Sequence, residues 1–280
     1  MALLGFLIFV LVLAILYGIF WGLGKAVKGA ADTVTDIAQS DVVIGMKYDA
    51  AFKENLRWQL MSFKYFEKLS EAGKDKFLHR VLLHYTRENI YGAEGYEPDQ
   101  KMQLMICATL SQLTFGLDKE WLASFDRIEL HPNIFKMRPN GPLMKGATTP
   151  NGIVRISVKD YLAGYADGTD KLNVGLHEFG HALLIEFMAS AEDHNSIKRL
   201  VFPYEQVAEE EIAKGFDGEH LLRKYAFTNK HEFFAVSVET FFEAPNEFVK
   251  EHPQLFEIIS KMLNQDPRNT TGDYARIESL

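Results

Sequence analysis

The chain has 280 residues, a formal net charge of −8 and a single cysteine. The acidic balance argues against nucleic acid or anionic lipid as the main partner, and one cysteine excludes an intramolecular disulfide. About 240 residues follow the N-terminal 40, enough for one large domain or two closely joined subdomains. Cys107 lies in an apolar run and is predicted to be a buried thiol.

The first 24 residues contain no charged side chain. As a helix, residues 2–23 would span about 33 Å, which is enough to cross a bilayer core. We predict a single-pass transmembrane anchor at 2–23 and a linker at 24–40. Lys25 and Lys28 follow the apolar run, so the positive-inside rule places the attached domain in the cytoplasm. A cleaved signal peptide is the alternative, which the missing basic n-region and the long apolar run disfavour.

Residues 41–267 are predicted to form the folded domain, followed by a polar, unstructured tail at 268–280. The segment 41–72 is predicted to be mostly helical. The predicted helices are 74–88, 100–115 and 232–242, and the predicted strands are 126–131 and 153–158. The segment 138–152, rich in proline and glycine, is predicted to be a loop or lid, and 164–170 a second loop. Apolar contacts of the first helical segment are assigned to Trp58, Leu60, Met61, Phe63 and Phe66.

The pentad His177-Glu178-Phe179-Gly180-His181 lies in a strongly apolar segment. Two histidines four residues apart share one face of a helix, so both imidazoles can bind one metal ion, with Glu178 placed to take a proton from a water. The alternative is a pair of core histidines bonded to neighbouring carbonyls. That alternative buries Glu178 without a partner, which is costly.

A catalytic zinc site needs a third protein ligand and leaves one position for water. The metzincin pattern is absent, because Leu184 and Phe187 occupy its positions. Glu232 is the favoured third ligand because it begins an apolar helix. The remaining candidates lie in charged stretches or are isolated histidines: Glu205, Glu209, Glu210, Glu211, His194 and His231.

Two further side chains are candidates for supporting roles. Glu239 lies two turns after Glu232 on the same side of the helix, where it could accept the free N–H of a zinc-bound histidine. It could equally reach solvent or a lysine at the helix edge. Tyr225 could donate its phenolic proton to an oxyanion, although a lone tyrosine before a turn more often packs.

These motifs resemble the MtfA-like (Mlc titration factor A) zinc peptidases and, more distantly, the catalytic domain of anthrax lethal factor. The resemblance rests on the HEFGH pentad and on the segment from Tyr225 to Pro245, and it covers about residues 72 to 267. It implies zinc ligation by His177, His181 and Glu232. It also implies that Glu178 is the general base and Tyr225 the transition-state donor. The family usually carries aspartate where this chain has Leu184.

The predicted fold class is α+β and mainly helical, a gluzincin-type domain with a small sheet beside the HExxH helix. The predicted function is a membrane-anchored metallopeptidase that uses one Zn²⁺ per chain to hydrolyse peptide or protein substrates. One alternative is a regulatory module that sequesters a protein partner, such as a transcriptional regulator, with weak peptidase activity. A pure binding module has no physical need for Glu178 beside an intact ligand set. Hydrolysis of a non-peptide amide is a third possibility.

Overall fold

The computed structural model describes residues 44–276, except 46, 119–121, 169, 190–194, 217 and 219. The chain divides into two compact units, Met1–Phe52 and Lys53–Leu280. In the first unit, the described residues include a stacked pair of rings, Tyr48 and Phe52. The predicted anchor at 2–23 and the linker at 24–40 lie outside the described residues. No helix among the described residues is long and apolar enough to cross a membrane.

The described part of the chain is mainly helical. Its α-helices are α1 Ala50–Leu60, α2 Lys64–Glu67, α3 Glu71–Arg87, α4 Gln100–Thr114, α5 Val158–Ala166, α6 Val174–Ala189, α7 Asn195–Lys214, α8 Lys230–Glu243, α9 Pro245–Glu251 and α10 Pro253–Leu263. Short 3₁₀ helices occupy Lys224–Thr228 and Thr270–Gly272. The strands are β1 Asn89–Gly92, β2 Arg127–His131, β3 Gly146–Thr149 and β4 Ile153–Ser157.

The four strands form one mixed sheet in the order β1-β2-β4-β3. β1, β2 and β4 run parallel, and β3 pairs with β4 in the antiparallel direction. Gly146 lies opposite Ile156 and Thr149 opposite Ile153. β3 is therefore an edge strand of the sheet. Glu178 of α6 lies against this strand.

Local sequence signals explain where several helices begin. Ser70, Asp99 and Ser157 each accept a backbone N–H of the following turn through a side-chain oxygen, which caps α3, α4 and α5. Proline stands at the first position of α9 and α10, where its missing N–H has no helical partner to lose.

The core of the second unit is built around α6 and α8, which pack closely along each other. A Cβ placed on Gly180 of α6 would lie 3.5 Å from the Cα of Ala235 on α8. Phenylalanines of both helices, including Phe179, Phe187, Phe233 and Phe241, are almost fully buried. Cys107 is a buried free thiol, as predicted, and burial raises its pKa.

Three expectations about local structure are wrong. The predicted loop 138–152 contains β3, and the predicted loop 164–170 begins inside α5, which ends at Ala166. The tail is folded through residue 276, because Gln265 forms a β-bridge with Ala275 and the Tyr274 hydroxyl donates to the carbonyl of Tyr65. Tyr65 and Tyr274 are 209 residues apart, so local sequence patterns do not report their contact.

The mainly helical fold class with a small sheet is confirmed. The helix that carries the HExxH pentad lies against this sheet, as the sequence predicted. The fold is consistent with a metallopeptidase domain.

Candidate metal centre

The HExxH pentad lies in the first half of α6. Asn173 precedes this helix, and its side-chain oxygen accepts the N–H of Leu176 at 3.1 Å. The helix is apolar on most sides, so its polar residues are drawn into the interior: His177 and Glu178 are 7 % and 4 % exposed. Both residues therefore need buried partners.

The partners come from α8, whose first turn is fixed by Asn229. The Asn229 side chain accepts the N–H groups of His231 and Glu232 at 2.9 and 3.0 Å. This cap holds Glu232 at the helix start, while Glu239 follows two turns later and is 1 % exposed. The close packing of α8 on α6 brings both carboxylates to the histidines.

Three donor atoms converge at one point. The Nε2 atom of His177 lies 3.1 Å from the Nε2 atom of His181 and 3.1 Å from Oε2 of Glu232. His181 Nε2 is 3.3 Å from the same Glu232 oxygen. The three atoms thus form a nearly equilateral triangle that joins the two helices.

This triangle suits a divalent metal ion. Zinc binds nitrogen and oxygen at about 2.0–2.1 Å in tetrahedral sites, so its ligand atoms are about 3.3 Å apart. Two imidazole nitrogens that face each other can share one proton at most, and a metal ion between them satisfies both lone pairs. His177, His181 and Glu232 are the residues that could hold it.

The charge around His177 favours a cation at this place. Burial alone lowers the pKa of His177, but the hydrogen bonds with Glu232 and Glu239 outweigh burial and raise the pKa to about 9. Burial raises the pKa of Glu232, yet the two histidines hold it well below its ordinary value. The site therefore stabilises positive charge between its ligands.

A second ring of contacts fixes His177. Its Nδ1 atom lies 2.7 Å from Oε1 of Glu239. Arg223 donates to both oxygens of Glu239, at 2.6 and 2.8 Å, and the backbone N–H of Asn173 donates to Oε2 at 2.8 Å. The sequence allows Glu239 either to contact a histidine or to reach solvent. The structure places Glu239 beside His177 and away from solvent.

Glu178 points to β3. The Thr148 hydroxyl lies 2.8 Å from Oε2 of Glu178 and donates to this carboxylate. A Cβ placed on Gly146 would lie 2.3 Å from Oε1, so only glycine leaves room for the carboxylate there. Burial raises the pKa of Glu178, although the nearby histidines oppose the effect. A raised pKa suits a group that must take up and release a proton near neutral pH.

Tyr225 belongs to the 3₁₀ helix Lys224–Thr228 and is half exposed. Its ring centroid lies 6.0 Å from that of His177. Burial, and then the charge of Glu232, raise the pKa of Tyr225 to about 12. The phenol therefore keeps its proton at neutral pH and can act as a hydrogen-bond donor.

The other candidates for a third ligand do not reach the triangle. Glu205 and Glu209 pair with Lys230, Glu211 pairs with Lys214, and His231 is exposed. His194 lies outside the described residues. Leu184, at the position where the resemblance leads one to expect aspartate, is 2 % exposed and packs in the core.

The motifs of the sequence do not identify Thr148, Asn173 or Arg223 as site residues. Thr148 lies in β3, within a segment that the sequence predicts to be a loop, and Arg223 precedes a 3₁₀ helix without a recognisable pattern. A chemical signal could have located Arg223. Two carboxylates are predicted beside the metal and one of them is buried, so a cationic side chain is expected to pair with the buried one.

A cleft of about 610 Å³ borders the centre. His177, Glu178, Arg223 and Tyr225 line it. Its remaining wall includes the apolar side chains of Pro142, Leu143, Met144, Leu172 and Val174. Leu143 and Leu172 are 60 % and 48 % exposed, which gives the cleft an apolar entrance.

A helix with an HExxH pentad, beside a small sheet and with a glutamate supplied by a second helix, is the arrangement of metallopeptidases. Residues 46–263 match the family described as glucose-regulated metallo-peptidase M90, and the chain belongs to this family. The resemblance to MtfA-like peptidases stated above is thereby confirmed. The chain is also similar to the uncharacterized protein slr2042 of Synechocystis, with 23% identity over 230 residues, which cover 72% of this chain and 80% of that protein.

Proposed function

We propose that this protein is a zinc-dependent peptidase that hydrolyses peptide bonds with Glu178 as general base. The observation that carries the proposal is the triangle of His177, His181 and Glu232, whose donor atoms lie 3.1–3.3 Å apart. Bound zinc supplies a polarised, more acidic water and a Lewis acid for the scissile carbonyl. The chain supplies the remaining chemistry.

Glu178 carries the proton. Its carboxylate takes a proton from the attacking water and delivers it to the amine that leaves, so the group returns to its starting state in each cycle. The hydroxyl of Thr148 keeps one carboxylate oxygen in place. Because Gly146 has no side chain, it leaves room for the other carboxylate oxygen.

The residues around the ligands orient the reaction. Glu239 fixes the tautomer of His177 by accepting the Nδ1 proton, and Arg223 holds Glu239. Tyr225 donates a hydrogen bond to the oxygen of the former carbonyl, where negative charge develops. The substrate main chain can pair with the outer edge of β3, whose first residue, Gly146, lines the cleft.

We infer further that residues 2–23 anchor the protein in the cell membrane and that the peptidase domain faces the cytoplasm. The absence of charge through residue 24 and the positions of Lys25 and Lys28 support this proposal. Protease treatment of spheroplasts should leave the domain intact, and treatment of inverted vesicles should digest it. Digestion from the outer side contradicts the orientation.

The peptidase is tested by metal analysis and cleavage of a peptide library with the full-length protein. Wild type should contain zinc and cleave peptides. Glu178→Gln should retain zinc while turnover falls by about 10² to 10⁴-fold, the scale of general acid–base catalysis. Glu186→Gln, a change later in the same helix, is the matched control. Undiminished cleavage by Glu178→Gln contradicts the mechanism, and a cellular function that persists in an inactive Glu178→Gln protein favours a binding module.

A further inference from the structure

A second group of metal-ligand side chains lies outside the centre described above. Glu211 is near the end of α7, His220 lies in the segment between α7 and the 3₁₀ helix Lys224–Thr228, and His252 separates α9 from α10. Each offers one ligand atom, and these atoms all lie within 4.8 Å of one another. All three residues are partly buried. No residue is shared with the triangle of His177, His181 and Glu232.

The two imidazoles of this group are stacked. Their ring centroids are 4.5 Å apart, with 28° between the ring planes. The Nε2 atom of His220 lies 3.5 Å from Oε2 of Glu211. The edge of the His220 ring also contacts Phe227, with a centroid distance of 4.8 Å.

We propose that Glu211, His220 and His252 form a second site for zinc or a similar divalent transition metal. Two imidazoles and one carboxylate are a donor set that zinc accepts, with a fourth position for water. The ligand atoms of this group are farther apart than those of the triangle of His177, His181 and Glu232, so the second site should bind zinc more weakly than the first. The three ligands come from three separate segments, and a metal ion ties these segments together.

Binding requires a change at His220. Its Nδ1 atom now accepts the N–H of Leu222 at 3.1 Å, which places the ring proton on Nε2. A metal at Nε2 moves this proton to Nδ1, so the contact with Leu222 is given up and no net proton is released. Lys214 lies 2.7 Å from the other oxygen, Oε1, of Glu211, and its side chain is 67% exposed. It can therefore turn toward solvent when the metal binds.

The second site and the active centre are joined by a short stretch of chain, from His220 to Tyr225. His220 precedes Arg223 and Tyr225 in the same short segment, and its ring packs on Phe227. A metal that fixes His220 therefore restricts the segment that supplies the partner of Glu239 and the phenol. This consequence rests on the proposed function, whereas the second metal site does not.

The test is the zinc content of the full-length protein after equilibration with zinc and removal of the excess. Wild type should hold two zinc ions per chain. Glu211→Gln and His252→Ala should each hold one, and so should His181→Ala. Glu210→Gln, a change at the exposed neighbour of Glu211, is the matched control and should hold two.

The outcomes separate the two sites. One zinc in wild type and none in His181→Ala overturns the second site and leaves the peptidase proposal intact. Two zinc ions in both Glu211→Gln and His252→Ala also overturn it. One zinc in wild type that is lost in His252→Ala and retained in His181→Ala supports the second site and contradicts the first. The zinc retained at His177 in Glu211→Gln shows that this variant is folded.

A second measurement does not depend on stoichiometry. In a His181→Ala background, added zinc should raise the melting temperature, because a ligand that binds only the folded state stabilises it. The same addition should give no rise when Glu211→Gln is combined with His181→Ala. An equal rise in both proteins contradicts the assignment.

Discussion

Oε1 of Glu239 lies 2.7 Å from Nδ1 of His177, while the other nitrogen of the same ring faces Glu232. A buried carboxylate behind a metal-binding histidine fixes its tautomer and raises its basicity. Glu239 is itself held by Arg223 and by the backbone of Asn173. The orientation of His177 therefore depends on residues that do not face the metal position.

The first prediction concerns this carboxylate. Glu239→Gln should weaken zinc binding by about 10 to 100-fold, the usual effect of losing such a partner. Competition with a chelator measures the change in zinc Kd. Glu247→Gln, at an exposed position of α9, is the control and should bind zinc as wild type does. Unchanged affinity in Glu239→Gln would show that His177 is oriented by other contacts.

The second prediction concerns Thr148. Thr148→Val keeps the shape of the side chain but removes the hydrogen bond to Glu178, and bonds to charged groups contribute about 1.5–3 kcal/mol. We expect kcat to fall by about 10-fold or more with zinc content unchanged. Without the bond that favours the ionised form, the pKa of Glu178 rises, so the acid limb of the pH–rate profile should move to higher pH.

Thr148→Ser provides the matched control, because serine retains the hydroxyl. It should recover most of the activity and the wild-type acid limb. If Thr148→Ser and Thr148→Val lose the same activity, the threonine acts through packing in β3 and not through its hydrogen bond.

The third prediction concerns Gly146. Gly146→Ala places a methyl group 2.3 Å from Oε1 of Glu178, so either the carboxylate or β3 must move. We expect a marked loss of kcat at unchanged zinc content. In Gly168→Ala the nearest atom lies 3.5 Å away, an ordinary contact, and activity should be retained. Equal activity in the two variants would exclude a close fit between β3 and the base.

Much of the centre could be predicted because helical geometry acts locally. His177 and His181 share a face wherever α6 lies, and the apolar run after Glu232 marks α8 as buried. The sequence does not predict Arg223 and Thr148 as site residues, because only tertiary packing brings them to the site. Neither residue belongs to a segment whose apolar periodicity is long enough to predict its structure.

The fold shows the same division. α3, α4, β2 and β4 follow their local patterns closely. The sequence does not predict β3, because a short strand in a segment rich in glycine and proline forms only when a partner, here β4, offers its edge. Apolar character alone does not decide burial. Leu60, Phe63 and Phe66 are buried as predicted, but the apolar contacts predicted for Trp58 and Met61 are wrong, because these side chains are 77% and 42% exposed.

The fourth prediction concerns pH and Glu243. Burial, with the charges of Glu239 and Asp170, raises the pKa of Glu243 to about 7, although Asn173 donates a hydrogen bond to it. The unfolded chain releases this proton near the ordinary pKa of about 4.5, while the folded chain holds it until about pH 7. The folded state binds more protons in this window, so the contribution of Glu243 to stability falls as pH rises from about 4.5 to 7.

Glu243→Gln removes this dependence and keeps an oxygen that can accept from Asn173. The melting temperature of the variant, relative to wild type, should therefore be higher at pH 8 than at pH 5. A difference that is constant with pH, or that has the opposite sign, would show that Glu243 does not titrate in this window.

The last prediction separates transition-state stabilisation from binding at Tyr225. Tyr225→Phe keeps the ring that lies 6.0 Å from the ring of His177 and removes only the hydroxyl. Since the hydroxyl is needed where negative charge develops, kcat should fall by about 10 to 10³-fold with KM nearly unchanged. Zinc content should stay at the wild-type level, because His177, His181 and Glu232 are all retained. Tyr96→Phe, a change far along the chain in the β1–α4 connection, serves as control. A rise in KM at constant kcat would instead make Tyr225 a residue that binds the ground state.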